Sequence, residues 1–204
     1  MRNNEYHFIT HWRVQGSCEE VSDILGDAPD LVRWWPSVYL DVQELEPGDA
    51  QGIGKMVSLF TKGWLPYTLR WQFRVTESRR PHGFSLQAQG DFEGRGIWTF
   101  VQDGAWAHVT YDWKIRADKP LLRYGSLLIK PLFAANHRWA MAKGEESLRL
   151  ELARRRATTS EERSRIPDPP GPTTSSSAPL LLGLAGLIVA FAAARRLRSG
   201  PGSR

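Results

Sequence analysis

The sequence predicts an α+β domain, an antiparallel sheet of about seven strands followed by one long helix, with a separate C-terminal transmembrane helix. Three observations carry this. Runs alternating apolar and polar residues recur between Tyr6 and Ile115, divided by Gly, Pro and Asp turns. From Pro120 to Arg156 that period gives way to a helical one. Past a Pro/Ser/Thr stretch, residues 178–194 form an uncharged apolar run closed by Arg195, Arg196 and Arg198. A two-residue period marks half-buried strands, and a 3.6-residue period marks a helix.

The elements follow in order. In residues 6–14, Tyr6, Phe8, Trp12 and Val14 share one face while His7, His11 and Arg13 share the other, which predicts a first strand. Ser17 suits a helix N-cap, and Glu19 and Glu20 suit the positive end of the dipole. Val21, Ile24 and Leu25 supply the apolar stripe, and Gly26 ends that helix. A second short helix fits 28–34, stopped by Pro36. Strand-like runs then occupy 38–45, 54–61, 67–75, 84–90, 96–102 and 107–115, the last two joined by Asp103-Gly104, a strong hairpin signal. Short turns between alternating strands imply an antiparallel meander with one wet face. In the long helix, Leu128, Leu132, Ala135, Asn136, Trp139 and Ala142 fall near one face, and Pro131 predicts a kink or restart. The domain is expected over 1–156, a disordered Pro/Ser/Thr linker over 157–177, the transmembrane helix over 178–197 and a basic tail over 198–204.

Charge is unevenly spread. Residues 1–112 carry 10 basic against 15 acidic side chains, residues 113–156 carry 11 against 4, and residues 157–204 carry 6 against 3. The basic excess therefore sits in the long helix and the tail, next to the apolar run, where anionic lipid faces attract it. No basic stripe interleaved with aromatics is present, which argues against a nucleic-acid partner. One cysteine, Cys18, rules out an intrachain disulfide framework. The first residues show no apolar signal-peptide core, so the domain is expected to stay in the cytoplasm behind a single C-terminal anchor. The arginines after the apolar run point the other way by the positive-inside rule. The apolar run is about 17 residues long, the lower edge of what crosses a hydrocarbon core.

Residues 17–36, SCEEVSDILGDAPDLVRWWP, resemble the opening that follows the first strand in the START-like, or SRPBCC, superfamily of polyketide cyclase/dehydrase and lipid-transport proteins. Trp34, Trp35 and Pro36 match its end, and the order of elements fits over about residues 5–152. The resemblance implies a helix-grip fold, in which a curved antiparallel sheet wraps the long helix around an apolar cavity. A C-terminal membrane anchor departs from the soluble members.

On that fold the inward faces would line the cavity with Tyr6, Trp12, Tyr67, Trp71, Trp98, Tyr111 and Trp113. Asn136 and Trp139 would join them from the helix, with Asn136 as a polar anchor. The bland alternative is that these side chains simply fill the core. Trp34, Trp35 and the segment 64–67 fit either loops that gate the cavity or dip into a membrane, or lids packed on the core. His137 falls off the expected face. His7 and His11 are spaced by four on a solvent-facing strand, which gives no metal site. Asp91 and Arg95 sit in an expected turn, and Gln51-Gly52-Ile53-Gly54-Lys55 lacks phosphate-loop spacing. No cofactor is implied and no catalytic residue stands out.

The leading expectation is a membrane-tethered domain that binds a lipid, quinone or polyketide-like aromatic. A cyclase, aromatase or dehydrase is the alternative. It requires a titratable group inside the cavity, such as Tyr111, and the alternation places almost none there. A filled-core interaction module is the third reading.

Overall fold

The structure, a computed structural model, describes residues 5–117 and 126–173. The chain divides into two units, 1–173 and 174–204. The second unit, and with it the expected membrane segment 178–197, lies outside the described residues. Among the described residues no helix is long and apolar enough to cross a membrane.

Strand β1 (Glu5–Gln15) is followed by helix α1 (Cys18–Gly26), a 3-10 turn (Ala28–Asp30) and helix α2 (Leu31–Trp34). A meander follows: β2 (Tyr39–Glu46), β3 (Met56–Lys62), β4 (Thr68–Ser78), β5 (Gly83–Gly90), β6 (Phe92–Asp103) and β7 (Trp106–Ala117). All seven strands form one curved antiparallel sheet in the order β1-β7-β6-β5-β4-β3-β2. Helix α3 (Ser126–Arg156) is 31 residues long, and the short α4 (Ser160–Ser164) comes after it. The outermost strand β2 carries Asp41, Glu44 and Glu46 on an exposed edge, charges that discourage pairing with another chain.

The core lies between the concave face of the sheet, α1–α2 and α3. Alternate residues of each strand enter it, such as Val109, Tyr111, Trp113 and Ile115 of β7. Their neighbours His108, Thr110 and Asp112 face away, as the two-residue period predicts. Ser17 caps α1 as expected. Its hydroxyl accepts from the Glu20 N–H at 3.1 Å, and the Glu20 carboxylate accepts from the Ser17 N–H at 2.8 Å. Glu20 also takes two bonds from Arg156, at 2.7 and 2.6 Å, which ties the start of α1 to the end of α3.

A second clamp fastens α2. The Glu151 side chain is almost wholly buried and accepts from Arg33 at 2.9 and 2.6 Å and from Arg155 at 2.8 Å. Burial pushes its acidity one way, but the Arg33 and Arg155 bonds outweigh it and hold the carboxyl below the usual range.

Three expectations change. First, α3 presents Phe133, Asn136, Met141, Leu148 and Leu152 to the core, a face turned from the one centred on Leu132 and Trp139. Where a large ring crosses the helix, as Trp35 does from just after α2, the helix meets it with a small residue. At Gly144 a Cβ would stand 2.2 Å from the Trp35 ring. A reading by hydrophobicity follows the bulky helix residues and misses this. The helix passes through Pro131 unbroken, and its expected stretch before Ser126 lies outside the described residues.

Second, Phe92–Asp103 is one strand, so Arg95 sits exposed in β6 rather than in a turn; only Asp91 remains between strands.

Third, residues 157–173 are not a featureless coil. Thr159 and Glu162 form a capping box that starts α4. The Pro-rich stretch then runs as a strap without helix or strand. Arg154 holds its Pro167 carbonyl and, at 3.4 Å, Asp168. At its far end the Thr173 hydroxyl donates to the Gly63 carbonyl at 3.2 Å, and Lys62 Nζ donates to the Thr173 carbonyl at 3.0 Å.

Candidate ligand cavity

A cavity of about 130 Å³ lies between the sheet and α3. Its floor is aromatic. Trp98 and Tyr111 are direct partners across β6 and β7, and their rings stack at 4.0 Å and 14°. Tyr111 and Trp113, two residues apart on one face of β7, stack at 5.5 Å. Trp71 lies 5.6 Å beyond Trp113, and Phe92 closes the edge against both. Phe133, Asn136, His137, Ala140 and Met141 form the helix side, while Leu31 and Trp35 form the α1–α2 side. Rings at 4–7 Å in offset or edge arrangements add to burial, so this floor is firm.

The polar groups in the lining are few, and Lys62 is the one that carries a charge, its Nζ donating to the Thr173 carbonyl at 3.0 Å. Trp71 donates its indole N–H to the Thr61 hydroxyl at 3.1 Å. Asn136 accepts from the Leu65 N–H at 3.1 Å, which fastens the loop 63–67 to the helix. Gly63 makes this approach feasible, since a Cβ there would fall 2.1 Å from the Asn136 amide. With Thr173 bonded to Gly63 from the strap, the loop is held from two sides.

Burial pushes the Tyr39 and Tyr111 phenols well above their ordinary range. Burial, helped by the Arg138 charge, lowers the His137 imidazole to about 4. His137 packs flat on Phe8 at 4.2 Å, and its Nε2 has no protein partner; neither has Trp35 Nε1. At neutral pH these two phenols and the imidazole are neutral. None is tuned near neutrality, where a general acid or base works best.

Trp71, Trp98, Tyr111, Trp113 and Asn136 stand in the cavity wall as the sequence suggests. Trp12 is buried one layer back, packed on Trp35 and Trp98 at 5.6 and 5.5 Å. Tyr67 ends the rim loop outside the wall, and Tyr6 packs on Phe133 behind it. Trp139 lies off the cavity because the inward face of α3 is turned. His137, expected outside, is inside for the same reason. Trp34 and Trp35 are core residues, 0% and 2% exposed, so they are lids rather than membrane-dipping loops.

Among the wall residues that the sequence reading does not place there are Phe92, Tyr39 and His137. Phe92 belongs to the series Phe92, Gly94, Gly96, Trp98, whose two glycines hide the alternation. Tyr39 and His137 gave no pattern of their own. Among the described residues no cluster of His, Cys, Asp or Glu suits a metal ion. His7 bonds Asp112 at 2.9 Å and His11 bonds Thr110 at 3.2 Å, both on the outer face.

No protein-family model matches the chain, and no curated protein matches it in sequence. Solved structures do match. The Zhui aromatase/cyclase from Streptomyces sp. R1128 is similar at TM-score 0.58 and 16% identity, over 76% of this chain and 97% of that one. A START superfamily protein from Mycobacterium smegmatis is similar at TM-score 0.58 and 15% identity, over 72% of this chain and 96% of that one. The protein TTHA0849 from Thermus thermophilus is similar at TM-score 0.57 and 17% identity, over 70% of this chain and 97% of that one.

Proposed function

We propose that this chain, whose described sheet and long helix resemble the START-like helix-grip fold, binds an uncharged, flat, hydrophobic group in the cavity over Trp98, Tyr111 and Trp113. The observation that carries this reading is the stacked aromatic floor facing a mostly apolar cavity. Apolar surface taken from water there gains roughly 25 cal/mol per Å².

The cavity, about 130 Å³ and partly open, holds about one ring within it, close to the engineered cavity of about 150 Å³ that holds benzene, and a larger aromatic would project through the opening. A lipid, quinone or polyketide-like aromatic must therefore enter by its ring end. The apolar run at 178–194 supports a tether to a membrane, where such molecules concentrate. The tether, and a cytoplasmic domain behind it, rest on sequence alone.

The enzyme alternative draws support from the similar aromatase/cyclase and from Tyr111 and His137 in the wall. Their acidities, driven away from neutrality, favour holding a ligand over moving its protons.

Ala140→Phe tests the reading, since it places a ring in the cavity from the helix side. Titration calorimetry with 2-naphthol should show saturable binding to the native chain and none to the variant. Equal binding by both would place the ligand elsewhere.

A further inference from the structure

A second hollow of about 640 Å³ lies on the far side of a single layer of cavity wall. It is bounded by the end of α1, the loop 47–55 between β2 and β3, and the turn joining β4 to β5. Leu25, Ala28, Phe73 and Phe84 face both spaces. Phe84 is the half-buried member of this wall, tilted on Trp98 at 6.2 Å and edge-on to Phe100 at 6.3 Å. Phe84 is thus the shared side chain whose turning would join the two spaces. The inner cavity alone is smaller than the usual ligand site of about 300–1,000 Å³, whereas the outer hollow falls within that range.

The chemistry of the two spaces differs. Lys55, Arg79 and Arg80 line the outer hollow, against one lining carboxylate, Asp49. Asp49 is engaged by its own loop, accepting from the Gln51 and Ile53 N–H groups at 2.9 Å each. The cations have partners outside the lining: Glu44 at 3.4 Å for Lys55, Glu77 at 2.5 Å for Arg79, and Asp23 for Arg80. The two arginine pairs are solvent-exposed. Arg79 is also steadied by the Ser85 hydroxyl at 3.2 Å and the Trp98 carbonyl at 3.4 Å, while exposed ion pairs of this kind hold weakly, so an incoming anion can exchange with the carboxylates.

We infer that cavity and hollow form one site for an amphipathic anion. Its flat apolar end passes Phe84 into the cavity, and its carboxylate, sulfonate or phosphate group stays in the hollow beside Arg79, Arg80 and Lys55. The inference rests on the cavity-binding reading above and adds the charge, polarity and direction of the ligand.

Two dyes with one skeleton separate the claims: 1-anilinonaphthalene-8-sulfonate and neutral N-phenyl-1-naphthylamine. All nine tryptophans lie between residues 12 and 139, so energy transfer from tryptophan to dye reports binding at the domain of the full chain. A detergent blank is subtracted. The native chain should bind the sulfonate at least tenfold tighter than the neutral dye. Arg79→Gln with Arg80→Gln should weaken the sulfonate about fivefold or more and leave the neutral dye within twofold. Gln51→Glu adds a carboxylate at an exposed lining position and breaks none of the bonds described here, so it should act in the same direction. Phe84→Trp, which thickens the shared wall, should weaken both dyes. Sulfonate binding that ignores all three charge changes overturns the amphipathic-anion site while leaving cavity binding intact. Failure of both dyes to bind overturns the cavity reading itself.

Discussion

Lowering the pH should destabilise this domain through one residue, His137. Its imidazole is buried against Phe8, and burial with the nearby Arg138 charge lowers it from an ordinary 6.5 to about 4. As pH falls through 6.5 the unfolded chain takes up a proton there that the folded chain refuses. Stability from this group is therefore complete above about pH 6.5, declines below it, and levels off near pH 4. Each pH unit of that window is worth about 1.4 kcal/mol, so the loss reaches about 2 kcal/mol by pH 5. Glu20 and Glu151, held below the usual carboxylate range by their arginine bonds, contribute losses only at more acidic pH. The interval from pH 7 to 5 thus isolates the histidine from these carboxylates. Urea unfolding followed by tryptophan fluorescence should show the decline in the native chain. His137→Phe keeps the stack on Phe8 and should flatten it. If the variant loses stability with pH as steeply as the native chain, His137 is not held neutral and the account of the cavity wall is wrong.

Other outcomes follow from the clamps. Arg33→Ala leaves the buried Glu151 carboxylate with Arg155 alone. It should cost about 2–3 kcal/mol, less than the 3–5 of a fully orphaned buried charge, and a loss below about 1 in chemical denaturation would contradict this. Gly63→Ala drives a methyl into Asn136 and should cost about 1–3 kcal/mol, a penalty that shrinks in an Asn136→Ala background; equal penalties in both would deny the contact. Truncation after Arg156 removes the strap and its two bonds at Thr173. It should speed amide exchange at residues 62–65 and lower stability by about 1–2 kcal/mol, and unchanged exchange would show that the strap does not hold the rim.

The sheet was legible because its faces alternate cleanly: Tyr111, Trp113 and Ile115 against Thr110, Asp112 and Lys114 needed no tertiary information. The first helix was legible because Ser17 and Glu20 are local signals read by local geometry. The inward face of α3 was not. It is set by what the helix meets, and Gly144 under Trp35 or Ala140 at the cavity carries no hydrophobic signature. That one rotation explains why Asn136 was placed correctly, Trp139 wrongly inside and His137 wrongly outside. The strap was missed for a related reason. Its sequence carries no helix or strand pattern, and its place is set by Arg154 and by Lys62 and Gly63, the last two remote in sequence.

The most direct test of the central claim is native mass spectrometry of residues 1–173, the unit that contains the whole described core, purified without detergent. The account predicts a co-purifying small hydrophobic adduct of one molecule per chain, absent from Ala140→Phe. A bare protein mass that also stays bare after incubation with 2-naphthol would contradict it, because the aromatic cavity would then be packing space rather than a binding site.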